Sequence, residues 1–263
     1  VKRLGARLAW SFFGMAMLVF LLAPALLAAL YSVETSRYFQ FPPKAYSLQW
    51  YAAFFASEPF RSSMIETALL AVISTPICLL LALPTAHALA RFDFAGRRLL
   101  DAALLSPLIV PGVVTGVAFL SLFRIVGLEH GLSRMTVAMI VVCYPFALRA
   151  LGANYTGVDL RCEEAARDLG AGPLYTYFKV TLPQLRSGLL AGAIFVFVEV
   201  IDNFSVNVFL VDLHGNTLPI AAYQHIRDFD DPLVAVLSTL LALLTLALVI
   251  VLDRVVGIDR VVR

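Results

Sequence analysis

The chain has 263 residues, 60% of them hydrophobic and only 14% charged, with 20 basic and 18 acidic side chains and a net charge of +2. Soluble chains carry about 25% charged residues, and a mean hydropathy of +0.87 is too apolar for a surface that meets water. A soluble enzyme, a disordered protein and a nucleic-acid binder acting through global charge are therefore excluded. What remains is an all-α integral membrane protein.

In chain order, the first uncharged run is Leu8–Val33. Its basic lead (Lys2, Arg3, Arg7) and Ala23-Pro24-Ala25 imitate a signal peptide, but a signal core is only about 7–15 residues long. An uncleaved first helix is expected. The segment from Ser32 to Ser62 follows, with Tyr38, Phe39, Phe41 and Pro42-Pro43 ahead of Ser47. Ser47 suits an N-cap, and Leu48, Tyr51, Phe54 and Phe55 share a helical face, which predicts a short aromatic helix at the membrane interface or a docking surface. Thr67–Ala90, Ala102–Phe123 and Pro232–Leu252 are further uncharged runs, each long enough for the roughly 20 residues that cross a bilayer. Ser187–Val211 has the length but contains Glu199 and Asp202. Met135–Leu148 is short, between Arg134 and Arg149. Either it is interfacial, or its arginines snorkel and it continues through Ala153.

Counting it gives six spans, at about 8–33, 67–90, 102–123, 135–153, 187–211 and 232–252, in one domain covering 1–263. The alternation of charge supports six. Lys2, Arg3 and Arg7, then Arg91, Arg97 and Arg98, then Arg149, Arg161, Arg167, Lys179 and Arg186, then Arg254, Arg260 and Arg263 fall on one side. Arg37, Lys44, Arg61, Arg124, Arg134 and Arg227 fall on the other. The positive-inside rule then places both termini in the cytoplasm. Pro76, Pro84, Pro107, Pro111 and Pro145 predict kinks in spans two to four, as hinges or as fixed bends that shape a cavity. The cysteines at 78, 143 and 162 and the histidines at 87, 130, 214 and 225 show neither a disulfide framework nor metal spacing.

The cytoplasmic loop 154–186 is long for a chain with short connections. Asp159 can cap a helix over about 160–169, Gly170 fits the left-handed position that ends it, and Pro173 suits the first turn of a second helix to about Val180. Leu182-Pro183 is expected to stop that second helix. Glu164-Ala165-Ala166, then Gly170, then Val180-Thr181-Leu182-Pro183 resemble the EAA signature of permease subunits of bacterial ABC importers, with Val180 in place of isoleucine. The resemblance runs from about residue 60 to the end. It implies an ABC importer permease fold of six transmembrane helices, with a coupling helix before helix five that docks on an ATPase subunit. Ala165 and Ala166 would allow close approach, Glu163, Glu164, Arg167 and Asp168 would pair with charges, and Gly170, Leu182 and Pro183 would shape the loop. The alternative is an amphipathic interfacial helix without a partner.

The resemblance further implies a second permease subunit, two cytoplasmic ATPase subunits and a periplasmic solute-binding protein, in a bacterial inner membrane. No cofactor is expected on this chain, and ATP and Mg would belong to the partner ATPase. The three lysines follow Val1, Pro43 and Phe178, so no phosphate loop is present and the chain is expected to be no enzyme.

Ionisable groups inside spans are expensive and default to functional candidates. Glu199, Asn203 and Asn207 are spaced to share one helical face, with Asp202 beside it, and Glu66 lies near the outer end of span two. An acidic, amide-rich lining suits a cationic solute, and contact with a partner subunit is the other reading. Phe197–Phe209, Leu218-Pro219-Ile220, Tyr223 and Asp231-Pro232 resemble the spermidine/putrescine branch, which typically shows an Asp-Asp pair where Asp202-Asn203 stands. Iron(III) and aminophosphonate permeases are near relatives of that branch. A gradient-driven secondary transporter using Glu199 and Asp202 as an ion relay is the alternative function.

Overall fold

The computed structural model describes residues 2–38, 40, 42–212 and 215–256, with side chains from 10 to 254 within those ranges. Phe39, Phe41, His214, Arg260 and Arg263, and the side chains of Lys2, Arg3 and Arg7, lie outside the described residues. The described chain is helical, with one isolated bridge between Glu34 and Tyr46. In order the helices are α1 (Lys2–Ser32), α2 (Gln49–Ala56), α3 (Glu58–Arg91), α4 (Arg97–Leu105), α5 (Gly112–Val126), α6 (Gly131–Tyr155), α7 (Leu160–Asp168), α8 (Pro173–Thr176), α9 (Leu182–Gln184), α10 (Arg186–Asp202), α11 (Leu218–Asp228) and α12 (Leu233–Val256).

Among the described residues four stretches are long and apolar enough to cross a membrane: Trp10–Ser32, Glu58–Arg91, Gly131–Tyr155 and Leu233–Arg254. Two more pairs pass that test only when each is joined across a bend: Arg97–Leu108 with Gly112–Val126 at 99°, and Pro173–Gln184 with Arg186–Asp202 at 68°. The doubtful stretch at 135–148 is thus a full helix with Arg134 and Arg149 inside it. The prolines also divide by effect. Pro76, Pro84 and Pro145 stay within continuous helices, whereas Pro107 lies in a 3₁₀ turn (Ser106–Leu108), Pro111 caps the start of α5, and together they break the third expected span. Two missing N–H groups four residues apart, and the extended bias that Pro111 imposes on Val110, leave no helical path between them.

The chain forms two compact units, Val1–Arg61 with Ala222–Ala247 and Ser62–Ala221 with Leu248–Arg263. In the first, Glu34 is fully buried, its main-chain carbonyl accepts from Trp50 Nε1 at 2.8 Å, and its carboxylate accepts the Lys44 N–H at 3.4 Å. The aromatic helix predicted after Ser47 is α2. Ser47 Oγ accepts the Gln49 N–H at 3.1 Å, one residue outside the cap itself. Phe54 is buried against Phe60, at 4.9 Å between ring centroids, while Phe55 faces out. His225 lies against Phe60 and Phe229 and pairs with Asp231 at 2.9 Å, and Asp231 also accepts the first N–H of α12. Most large side chains on α1 and α12 are exposed, as on helices that face lipid.

In the second unit α6 packs along α10. Gly188 and Gly192 sit one turn apart on the facing side of α10, and a Cβ at Gly188 would lie 2.6 Å from Asn154 Cβ. Small residues at this spacing let helix backbones approach where no hydrophobic effect drives them together. Asn154 Nδ2 adds a bond to Ser187 Oγ at 2.8 Å, and Cys78 Sγ on α3 bonds the Ile140 carbonyl on α6.

Candidate functional site

The loop 154–186 is ordered by local chemistry that its sequence announces. Asp159 caps α7, its carboxylate accepting the Arg161 N–H at 3.0 Å. At the other end Gly170 has φ +87°. The Ala171 N–H returns to the Ala166 carbonyl and the Gly170 N–H to the Arg167 carbonyl, both at 2.9 Å. These are the two bonds of a Schellman ending, and they require a residue free of the Cβ penalty at position 170. Gly172 and Pro173 then open α8.

The second helix does not stop at Leu182-Pro183 as expected. It passes through a π turn, Tyr177–Thr181, into α9 and ends after Gln184. The Leu182 N–H reaches back to the Tyr177 carbonyl, Pro183 has no N–H and needs no acceptor, and the wider turn relieves the clash of a proline with the preceding α-turn. Gln184 closes the arrangement. Its Nε2 donates to the Val180 carbonyl at 3.0 Å and its Oε1 accepts the Asp159 N–H at 3.1 Å, tying the end of the second helix to the cap of the first.

Glu163, expected with Glu164 to pair with charges on an ATPase subunit, faces inward. It is buried, and its Oε1 accepts both Arg91 Nη2 at the end of α3 and Thr181 Oγ1 in the π turn, each at 2.8 Å. Around this clamp His87 Nδ1 lies 3.2 Å from Tyr155 Oη, the Tyr177 ring meets His87 edge-on at 4.9 Å, and the Arg91 guanidinium lies 5.8 Å from the Tyr155 ring centre. Apart from Glu163 and the half-buried Ala166, the first-helix signature is exposed: Glu164, Ala165, Arg167, Asp168 and Gly170. Leu169 is 89% exposed, and Leu174, Tyr175 and Phe178 continue the exposed surface. Leu182 is half-buried and Pro183 exposed. The clamp thus fixes α7 from behind and presents a mixed charged and apolar row in front.

The five intramembrane candidates fall into two groups. Glu199, Asn203 and Asn207 do not share a helical face, because α10 ends at Asp202 and Asn203 is extended. The Asn203 side chain competes with the helix for main-chain partners: its Oδ1 accepts the Val206 N–H at 3.1 Å and its Nδ2 donates to Glu199 Oε1 at 3.2 Å. Asn207 Nδ2 in turn donates to the Asn203 carbonyl at 2.9 Å, so the three meet through a turn instead. Asn207 is fully buried, its Oδ1 without a bond among the described residues, and Asp202 is exposed beside the turn. Glu199 and Asp202 occupy the last turn of α10, where the helix dipole disfavours negative charge. Their charges oppose the helix dipole there, and among the described residues only Glu199 is answered, by the Asn203 amide.

Glu66 belongs elsewhere. Its carboxylate packs against Gly215, and the next residue's hydroxyl, Thr67 Oγ1, accepts the Leu218 N–H at 2.9 Å. Asp212, absent from the sequence reading, holds this segment by accepting the N–H groups of Gly131 at 2.7 Å and Gly215 at 2.8 Å. Gly112 and Gly116 were missed as well. They bring α5 onto the 203–209 turn, and a Cβ at Gly116 would lie 2.6 Å from Phe209 Cδ2 and 3.0 Å from the Val206 carbonyl. Their four-residue spacing after Pro111 was the available signal.

A family model described as a binding-protein-dependent transport system inner membrane component matches residues 6–258. The spermidine/putrescine transport system permease protein PotC of Escherichia coli (strain K12) is 27% identical over 235 residues, 89% of each chain. The molybdate/tungstate transport system permease protein WtpB of Pyrococcus abyssi (strain GE5 / Orsay) is 28% identical over 200 residues, 76% of this chain and 78% of its own. Among solved structures, a chain of a bacterial ABC transporter involved in the import of the acidic polysaccharide alginate matches with a TM-score of 0.71 at 18% identity, covering 97% of this chain and 96% of that one.

Proposed function

Because this chain belongs to the binding-protein-dependent transport system inner membrane components, and so is a permease subunit of an ABC importer, we propose that residues 160–183 are its docking element for a separate ATPase subunit. We further propose that the chain forms, with a second permease subunit, the path of a small cationic solute such as a polyamine. The observation that carries the coupling reading is the clamped α7: Glu163 is held from behind by Arg91 and Thr181, while Glu164, Ala165, Arg167 and Asp168 face out. An element that must transmit force needs such a rigid back and a free front. Two ATPase subunits with their ATP and Mg, a periplasmic binding protein and cytoplasmic termini in an inner membrane complete the proposed assembly. Its two states are biased by ATP at one end and by loaded binding protein at the other.

The cation reading rests on the turn after α10. Relatives of nearly equal identity are named for polyamines and for oxyanions, so identity alone does not choose. Glu199, Asp202, Asn203 and Asn207 support the cationic choice, since a carboxylate pair and two amides at a helix C-terminus favour a positive group. Uptake of labelled spermidine, putrescine and molybdate into proteoliposomes holding the assembled importer tests both parts. Glu164→Arg is expected to abolish ATPase co-purification and all uptake. Asp202→Asn is expected to leave co-purification intact and weaken polyamine uptake about tenfold or more, the scale of one charge-assisted hydrogen bond. Molybdate uptake without polyamine uptake overturns the solute. Full uptake with Glu164→Arg overturns the docking element.

A further inference from the structure

Where α3 and α6 end, on the side of the 160–183 loop, the second unit forms an open cavity of about 1210 Å³ between the last turns of those helices, the connection after Arg91, and α4. Its lining is divided. One part is apolar, with Leu89, Phe94, Leu99 and Leu148, and the other carries Arg91, Arg97, Arg98 and Arg149 with Asp93 and Asp101. Arg97 is held by Asp93 at 2.6 Å and Arg91 by Glu163 at 2.8 Å. Arg98 and Arg149 have no ion-pair partner among the described residues, and the Arg91 Nε is buried without an acceptor. Three guanidinium donors are therefore unanswered beside one uncommitted carboxylate, Asp101.

The depth of the site says what could answer them. Arg91 is the last residue of α3, and Arg149 and Tyr155 lie in the final two turns of α6. Arginine and tyrosine at the ends of spans mark the headgroup level of a bilayer. The α4 segment bends by 99° from α5 and exposes Leu99 at 75%, as a short helix at that level would. We propose that this cavity binds the headgroup of an anionic phospholipid, with Arg98 and Arg149 on the phosphate and an acyl chain along Leu89, Phe94, Leu99 and Leu148. Basic pockets between transmembrane helices take such headgroups. Because Arg91 both lines the cavity and holds Glu163, the bound lipid stiffens the clamp behind α7. The site depends on the chain spanning the membrane and not on which solute it carries.

The test uses the assembled importer in nanodiscs of phosphatidylcholine with rising phosphatidylglycerol, reading phosphatidylglycerol bound per complex by native mass spectrometry. Each arginine near a bilayer surface is worth about fivefold in affinity for anionic lipid. The double variant Arg98→Gln with Arg149→Gln is therefore expected to bind about 25-fold more weakly, while Arg98→Lys with Arg149→Lys keeps most of the binding. Both side chains are exposed, and unchanged thermal stability confirms that the fold survives. Undiminished phosphatidylglycerol binding in the glutamine variant overturns the proposal. So does a glutamine variant whose sole defect is loss of the ATPase in lipid-free detergent, since the cavity would then be a protein-docking surface.

Discussion

At the scale of single residues, glycines set the distances that matter and their neighbours set the cost of changing them. Gly116→Ala places a methyl group 2.6 Å from Phe209 Cδ2 and 3.0 Å from the Val206 carbonyl. The second is main chain and cannot step aside, so overpacking of about 1–3 kcal/mol is expected. Gly152→Ala, in α6 with nothing within 4 Å, is the control, and a helix former there is neutral or stabilising by up to about 1 kcal/mol. Thermal unfolding of the purified complex measures both. Equal midpoints for the two variants would mean that α5 does not lie on the 203–209 turn. At this scale the sequence is legible where the chemistry is local. Asp159 and Gly170 act on groups within a few positions of themselves, and both do what their types imply. The inward turn of Glu163 is not legible locally, because its partners are 18 and 72 residues away and no local rule separates it from Glu164.

At the scale of elements, the misreadings share a cause. Apolar runs locate spans but say little about where a helix yields to a competing hydrogen bond. Asn203 ends α10 and the paired prolines break the third span near its start, while the π turn carries the second loop helix past Pro183. The clamp makes the loop an element and not a pair of loose turns. Glu163→Ala removes the acceptor of two bonds at once and leaves the Arg91 guanidinium unpaired in a mostly buried site. Breaking a buried pair in this way costs about 3–5 kcal/mol. Hydrogen exchange of the amides from 159 to 184 is therefore expected to quicken by two orders of magnitude or more, with exchange in α12 unchanged. Equal protection in both proteins would show that the clamp does not hold the loop.

At the scale of the whole molecule, composition gave the membrane and the signature in loop 154–186 gave the family, while the break in the third span and the early end of α10 were not visible in an uncharged run. The coupling proposed above requires the exposed front of α7 to meet an ATPase subunit. A native thiol on the same helix serves as the probe. Among the described residues Cys78 and Cys143 are buried and Cys162, on α7, is the one exposed thiol. The direct measurement is the rate of maleimide labelling of Cys162 in the assembled importer and after the ATPase has been stripped away. Protection in the assembly, relieved by stripping, is the predicted result, together with loss of ATPase rebinding once Cys162 is labelled. Equal labelling rates in both states, with rebinding and uptake untouched by the label, would contradict it.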